Sequence, residues 1–488
     1  MSHAPPSRHD FHLGRASLTA AAAAGLLRGA SFLIVALLCH WLSPAELGVY
    51  RQVIIIQALP ALLLSMGGPE GMLYALGQTR DAQVQGRIFA AGCLWMVLLM
   101  PALGLSSAGL VLLASRLLDR PQLADAAAAA AWLGAFNVYL LFAAPVFIGR
   151  RKPGHYLLFA GAQLATGTGL TALLTWQSPT LSAALLAAIL TAAQGCCLTL
   201  LAFVLVARPG PLAELWKQHV VPGLRYGWPT ALGGFLSLAG YQVDHLVASL
   251  LFSATDYGLY AGGAWQLPVG SLAHHGQATT LLPVMAGHYQ ANRRQAFWAD
   301  WHRLVRPAGI AGAFLFWGVF WTAADIIRLV LGPAYDASVA VFRVYVWLLP
   351  LRVAAIYLPL RATGSTRAEI GAGLVLGVVS LVVGLALGPH LGLVGPALGV
   401  VAGMCAWATY LLLATIRTLK VSLVQLLPVS ALATSLVIAG GIAALCFAVV
   451  GRALREPSGQ RLAIFWGLYT AVALMVWKLM HCPPRGRT

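Results

Sequence analysis

Two adjacent ionisable residues, Asp244 and His245, lie inside an apolar stretch at about residues 228–251. On a helix, Tyr241 falls on the same side as this pair, and the rest of that side is small or polar. An ionisable side chain costs roughly a few kcal/mol inside a membrane, so it needs a partner, a water-filled cavity or a function. We interpret the pair as a proton- or cation-linked switch or a binding contact. A structural ion pair or a hydrogen bond to a neighbouring helix is the alternative.

Arg28 and Glu70 are charged residues of the same kind in the first two apolar runs. Arg28 lies near the middle of its run, where a guanidinium could bind a phosphate through a forked pair of hydrogen bonds. It could equally be the ion-pair partner of Glu70 or Asp244. Glu70 follows Gly67-Gly68-Pro69, which predicts a break in its helix. It is a second candidate for a polar cavity, or else part of a gate or an ion pair.

His274 and Arg352 complete the set of candidate site residues. A histidine titrates near neutral pH, so His274 could respond to a proton gradient, although it could also be a packed polar group. Arg352 lies past Pro350 and deep in its apolar run, which makes it a cavity candidate. Asp325 and Arg328 are three residues apart on one predicted helix, and we expect them to form an ion pair.

Motifs for catalysis and for metal binding are absent from the sequence. It contains no paired carboxylates in a soluble loop, no glycine-rich phosphate loop with a lysine and no serine nucleophile motif. None of the seven cysteines has metal-ligand spacing. We therefore expect no enzymatic activity, no cofactor and no metal. Transport, if any, must use an ion gradient, the membrane potential or the substrate gradient.

The composition places these residues in a membrane. Of the 488 residues, 59% are hydrophobic and only 9% are charged, whereas about 25% of a soluble domain is charged. The net charge of +17 comes from Lys and Arg residues that stand singly or in small groups between apolar runs. That placement follows the positive-inside rule and argues against nucleic-acid binding.

The apolar runs predict an all-α, polytopic membrane protein with about fourteen transmembrane helices, among them spans at about 52–77 and 307–331. When loops are counted alternately, most of the 31 Lys and Arg residues fall on the face that holds the N-terminus. We therefore expect both termini in the cytoplasm. The loop at 452–461 contradicts this pattern, because it is more basic than a loop on the opposite face should be.

An internal duplication organises the predicted helices. The octapeptides SPAELGVY at 43–50 and SATDYGLY at 253–260 align without a gap at an offset of 210 residues (253 − 43). Six helices per copy is an even number, so both copies would enter the membrane the same way up. We expect two six-helix lobes at 12–207 and 222–417, related by a parallel repeat, and two additional helices at 427–480. The cleft between the lobes is the expected working site.

Four short stretches carry a resemblance to a known family. They are LSPAELGVY at 42–50, Asp244 followed by SATDYGLY at 253–260, RATGSTR at 361–367 and HLGLVGPALG at 390–399. In their order and spacing they resemble the polysaccharide-exporting branch of the multidrug/oligosaccharidyl-lipid/polysaccharide flippase superfamily. Within that branch the chain is most similar to Wzx-type flippases of lipid-linked oligosaccharides.

The resemblance implies two six-helix lobes around a cationic cavity that opens to each side of the membrane in turn. It implies that a polyprenyl-diphosphate-linked oligosaccharide is moved across the bacterial inner membrane, from the cytoplasmic to the periplasmic leaflet. Arg28, with Arg352, would then hold the diphosphate, and Asp244 would be protonated or ion-bound in one state only.

The expected role is surface polysaccharide biosynthesis, whether of lipopolysaccharide O-antigen, capsule or exopolysaccharide. The expected partners are the lipid-linked oligosaccharide and membrane lipids, with a glycan polymerase and chain-length machinery as further candidates. An ion-coupled small-molecule exporter of the multidrug type is the alternative, because such an exporter would use the same two lobes with a less cationic cavity.

Overall fold

The computed structural model describes residues 8–79, 81–150, 152–208, 210–265, 281, 284–353, 356–363, 367–454 and 457–481. Throughout these ranges the regular secondary structure is helical, with no strand. The prediction of an all-α protein is therefore confirmed.

The first half of the described chain forms twelve labelled helices. They are α1 Arg8–Leu38, α2 Pro44–Leu64, α3 Gly68–Gln78, α4 Ala82–Leu117, α5 Pro121–Asp125, α6 Ala127–Phe136, α7 Tyr139–Gly149, α8 Pro153–Gln177, α9 Leu181–Val204, α10 Leu212–Leu215, α11 Val221–Leu251 and α12 Ala254–Gly263. A five-residue π-helix, Trp216–Val220, connects α10 to α11.

The second half of the described chain continues with ten further helices. They are α13 Arg294–Trp321, α14 Ala323–Leu331, α15 Ser338–Val346, α16 Leu348–Val353, α17 Leu358–Ala362, α18 Arg367–Leu391, α19 Val394–Leu419, α20 Leu423–Leu426, α21 Val429–Ala453 and α22 Gly459–His481. Helix α13 begins well before the predicted span at 307–331. Part of the predicted loop before that span is therefore the first turns of a long helix.

Within the described residues, nine helices are long and apolar enough to cross a membrane. The predicted total of about fourteen stays a prediction. Some predicted single spans are broken into two or three helices. The span at 52–77 breaks between α2 and α3, where Met66 and Gly67 have φ of 47° and 70°, next to the predicted Gly67-Gly68-Pro69 break.

The chain divides into two compact units by its internal contacts. The first comprises Met1–Gly258 with Glu369–Gly403, and the second comprises Leu259–Ala368 with Met404–Thr488. Helix α11 thus packs with the helices that precede it, although the duplication assigns it to the predicted second lobe. The lobes at 12–207 and 222–417 and the pair at 427–480 stay a prediction.

Small residues let the helices of the first unit approach closely. A methyl group on Gly134 of α6 would lie 2.7 Å from the Leu103 carbonyl oxygen of α4, and one on Gly195 of α9 would lie 2.7 Å from the ring of Tyr139. Helices in lipid associate through such backbone contacts, since the bilayer offers no hydrophobic driving force between them.

Aromatic side chains hold the second unit together. The rings of Phe314 on α13 and Tyr469 on α22 stack with centroids 4.2 Å apart. The Trp317 indole N–H donates to the Leu436 carbonyl of α21 at 2.8 Å. The Tyr469 hydroxyl donates to the Phe314 carbonyl at 3.0 Å. Tyr469 and Trp317 therefore fill space and also donate a hydrogen bond inside an apolar environment. Helices α21 and α22 are an integral part of this unit.

The predicted ion pair between Asp325 and Arg328 is wrong. Arg328 instead donates two hydrogen bonds of 2.7 Å to Asp336, in the turn after α14. The buried Asp325 carboxylate accepts from the Ser458 amide at 3.1 Å and lies 3.6 Å from the Arg461 guanidinium. Asp325 and Arg461 are both buried, whereas Asp336 and Arg328 are both exposed. Each arginine therefore pairs with the acid that has the same degree of burial. The pairing also accounts for one cation of the unexpectedly basic loop at 452–461.

Candidate functional site

Helices α2 and α3 run antiparallel to α11, and glycines allow their backbones to touch. A methyl group on Gly227 would lie 1.9 Å from the Gly67 carbonyl oxygen, and one on Gly71 would lie 2.2 Å from the Gly223 carbonyl oxygen. We call these four residues the glycine seam. A side chain at Gly67, Gly71 or Gly227 would collide with the backbone of the facing helix, so the seam closes the space between α3 and the beginning of α11.

The two octapeptides of the duplication share a structural role at their first residues. The Glu46 amide donates to the Ser43 hydroxyl at 3.3 Å, and the Asp256 amide donates to the Ser253 hydroxyl at 3.1 Å. Each serine thus caps the helix that follows, and in the first copy the Ser43 amide also donates to Glu46 at 3.0 Å. The repeated serine and acid are a helix start signal, which explains why both octapeptides open a helix.

The octapeptides also pack against each other through equivalent atoms. A methyl group on Gly48 would lie 2.7 Å from the Ala254 carbonyl oxygen, and one on Gly258 would lie 1.7 Å from the Pro44 carbonyl oxygen. Gly48 aligns with Gly258 in the duplication, and Pro44 aligns with Ala254. The two contacts are therefore related by a local two-fold operation.

A buried polar cluster surrounds the end of α11. Asp244 is 0% exposed and His245 is 5% exposed, and the His245 Nδ1 atom lies 3.2 Å from the Tyr257 hydroxyl. The Gln52 amide of α2 donates to the Ser249 hydroxyl at 2.9 Å. Asp244 is thus enclosed by protein, as a cavity or partner role requires.

Arg120, between α4 and α5, binds the last carbonyls of α11. Its Nη2 atom donates to the Ser249 carbonyl at 3.0 Å and also to the Phe252 carbonyl. A cation at this position satisfies carbonyls that lack an intrahelical partner and complements the helix dipole. The Tyr257 hydroxyl lies in the electrostatic field of both Arg120 and Asp244. We call Gln52, Arg120, Asp244, His245, Ser249 and Tyr257 the polar cluster.

The glycine seam and the polar cluster lie at opposite ends of α11. From Gly227 to Ser249 is 22 residues, or about 33 Å at 1.5 Å per residue, close to the roughly 30 Å of a bilayer core. The contact between α2–α3 and α11 is therefore closed at both ends of a stretch as long as a bilayer core is thick, by backbone packing at one end and by hydrogen bonds at the other.

The structure brings together three of the seven predicted site residues. Tyr241 is half-buried on α11, about one turn before the buried pair Asp244 and His245. Arg28 lies on α1, Glu70 on α3 and Arg352 on α16, but their side chains are outside the described part of the structure, as is the whole of His274. A shared site for all seven stays a prediction.

Sequence reasoning missed Gln52, Arg120 and Tyr257. Arg120 is one of the few basic residues on the face opposite the N-terminus in the predicted topology, and that exception to the positive-inside rule was the available signal. No comparable signal marks the other two, because their role depends on contacts between distant parts of the chain. Among the described residues, no group of three or more His, Cys, Asp or Glu side chains could hold a metal ion.

Comparison with known proteins gives matches by structure only. No family model matches the chain, and no curated protein matches its sequence. The lipid II flippase MurJ, in an inward closed conformation, superposes with a TM-score of 0.69 over 93% of this chain and 98% of its own, at 13% identity.

Two other solved structures belong by name to the MOP superfamily. An inward-facing multidrug resistance transporter of the MATE family has a TM-score of 0.64 at 14% identity and covers 81% of this chain and 94% of its own. A transporter from Pyrococcus furiosus has a TM-score of 0.60 at 14% identity, and the match covers 85% of this chain and 97% of that transporter. At such identities the likeness concerns architecture alone. This chain has the fold of the MOP superfamily transporters.

Proposed function

We propose that this protein is a flippase that moves a polyprenyl-diphosphate-linked oligosaccharide across the bacterial cytoplasmic membrane by alternating access. The product would serve O-antigen, capsule or exopolysaccharide biosynthesis, and both termini would face the cytoplasm. The fold shared with the lipid II flippase MurJ and the four family-like stretches support the proposal. The observation that carries it is the contact between α2–α3 and α11, which is closed separately at each end of α11.

Alternating access requires a contact that opens at one face while it holds at the other. The glycine seam depends on backbone packing, so separating it breaks only dispersion contacts. The polar cluster depends on hydrogen bonds, which water can replace once that end of α11 opens. Since the two closures use different chemistry, one can open without the other.

Asp244 and His245 are the residues through which an ion could bias the two states. A proton or cation shifts a conformational equilibrium only if it binds one state better than the other. Asp244 is fully enclosed when the end of α11 is held by Arg120, and opening that end would bring water to its carboxylate. Asp244→Asn is expected to reduce transport and to remove its dependence on the ion gradient.

Arg28 and Arg352 are the proposed ligands of the diphosphate, while the polyprenyl tail stays in lipid. The test is a chromosomal deletion complemented by variant genes, with surface glycan measured on gels and protein level measured in membranes. Arg28→Ala is expected to abolish surface glycan at a normal protein level. Arg116→Ala, which removes an exposed arginine near the end of α4, is the matched control and should export normally. Unchanged glycan in the deletion strain would refute the proposal.

A small-molecule exporter of the multidrug type is the second candidate. The likeness to MATE transporters favours it, as does the small number of basic residues deep in the apolar runs. The same deletion strain separates the two candidates. Loss of a surface glycan supports the flippase, whereas normal glycan with increased sensitivity to toxic cations supports the exporter. A glycan polymerase and chain-length machinery are the proposed neighbours of the flippase only.

A further inference from the structure

The segment between α9 and α11 carries exposed cations at one membrane face. Helix α9 ends at Val204 and α11 begins at Val221, so the residues between them lie where two membrane helices end. Arg208 and Lys217 are exposed there. We call these two residues, together with Arg87 of α4, the basic collar.

Contacts within the first unit bring the collar together. The Arg208 amide donates to the Gly86 carbonyl at 2.9 Å, and the Arg208 side chain passes over Gly86, where a methyl group would lie 2.3 Å from its Cγ atom. Arg208 therefore lies beside Arg87. The Arg87 guanidinium also acts electrostatically on the His219 ring, two residues from Lys217.

Two tryptophans place the segment between α9 and α11 near the boundary between membrane and water. Trp216 of the π-helix and Trp95 of α4 meet edge to face, with ring centroids 5.8 Å apart. Trp95 is eight residues, or about 12 Å, further along α4 than Arg87. Tryptophan is the residue typical of the boundary between hydrocarbon and head groups, so the collar lies at about the height of lipid phosphates.

The acids near the collar are already bound. Asp81 caps α4 by accepting from the Gln83 amide at 2.8 Å. Glu214 lies 3.3 Å from the Gln218 side-chain amide, which donates to it. Among the described residues, neither carboxylate forms an ion pair with Arg87, Arg208 or Lys217. The three cations of the collar are exposed, so a ligand outside the protein can reach them.

We propose that the basic collar binds the phosphate head group of an anionic phospholipid of the surrounding bilayer. Guanidinium groups bind phosphate oxygens through paired hydrogen bonds, and basic clusters beside membrane helices bind anionic lipids. Gly223 of the glycine seam follows the π-helix within three residues. A bound head group would therefore steady the beginning of α11 and favour the closed seam.

The test measures thermal unfolding of the purified full chain in neutral detergent with added lipid. Phosphatidylglycerol should raise the apparent Tm more than phosphatidylcholine at the same mole fraction, and the difference should shrink at high salt. Each lost cation should weaken binding about fivefold. The variant R87A/R208A/K217A should therefore need about a hundredfold more phosphatidylglycerol for the same effect.

The matched control removes Arg293 and Arg294, which are exposed cations of the second unit. R293A/R294A should keep the full response to phosphatidylglycerol. If R293A/R294A loses as much of its Tm response to phosphatidylglycerol as the collar variant does, the response depends on net charge and the proposal is refuted. Inorganic pyrophosphate should not stabilise the protein, and equal stabilisation by pyrophosphate would also overturn it. If the collar variant folds poorly, R87K/R208K should retain the lipid response, and native mass spectrometry of bound lipid provides a second readout.

Discussion

Replacing Gly227 by alanine tests whether the glycine seam is a required contact. The added methyl group would lie 1.9 Å from the Gly67 carbonyl oxygen and 2.5 Å from its carbon, both of them backbone atoms. An ordinary contact begins at 3.4 Å, so the two backbones would have to separate by about 1.5 Å, and packed helices accommodate such a shift only at a cost. Overpacking of this kind costs about 1–3 kcal/mol.

A loss of stability would be informative, because replacing glycine by alanine inside a helix normally stabilises the helix by about 1 kcal/mol. Gly223→Ala is the matched control on the same face of α11. Its methyl group would meet only Gly71 atoms at 3.8 Å, so it should be neutral or stabilising. We expect Gly227→Ala to lower the apparent Tm in detergent by a few degrees relative to Gly223→Ala, and to reduce transport. Equal Tm and equal transport in the two variants would show that the seam is not a packed contact.

Three further predictions concern the second unit. Asp325→Asn removes the carboxylate that lies 3.6 Å from the buried Arg461 guanidinium and should cost about 1–3 kcal/mol. Arg461→Met in the same chain should recover part of the lost Tm. Trp317→Phe removes one hydrogen bond within the membrane and should lower stability by about 1 kcal/mol, measured by the same unfolding assay. Hydrogen bonds from Arg328 hold the pKa of Asp336 below its usual value. Above about pH 4 this exposed ion pair should therefore stabilise the folded protein slightly. That contribution should be lost as the pH falls through the lowered pKa of Asp336. Asp336→Asn should remove that acid-dependent part of the Tm.

The features that follow from local sequence were predictable. The all-helical architecture follows from apolar runs of membrane length, and the break between α2 and α3 follows from Gly67-Gly68-Pro69. The octapeptides were recognisable as tight helix connections because serine and an acid three residues later form a cap. In each case the signal and the structure lie within a few residues of each other.

Asp244 and His245 of the polar cluster were predicted, but Gln52 and Arg120 were not, because they are far from α11 in sequence. Gln52 and Ser249 are 197 residues apart, and Arg120 reaches a carbonyl 129 residues away. The partner of Asp325 was wrongly predicted for the same reason, since Arg461 is distant in sequence. A helical spacing of three residues favours Arg328, but burial selected Arg461, and burial depends on how α14 and α22 pack rather than on either segment alone.

The reciprocal contact between the two octapeptides has a consequence for how such a chain can arise. Equivalent atoms that touch across a two-fold operation form a self-complementary surface, the kind that joins identical subunits in a symmetric dimer. In such a subunit Gly48 and Gly258 would occupy the same sequence position. The carbonyl oxygens that they meet, those of Ala254 and Pro44, would also belong to a single position. Gene duplication followed by fusion would keep this pairing intact without inventing any new interface. Afterwards each glycine would be constrained by the other copy, so the symmetry would persist while the remaining sequence diverged.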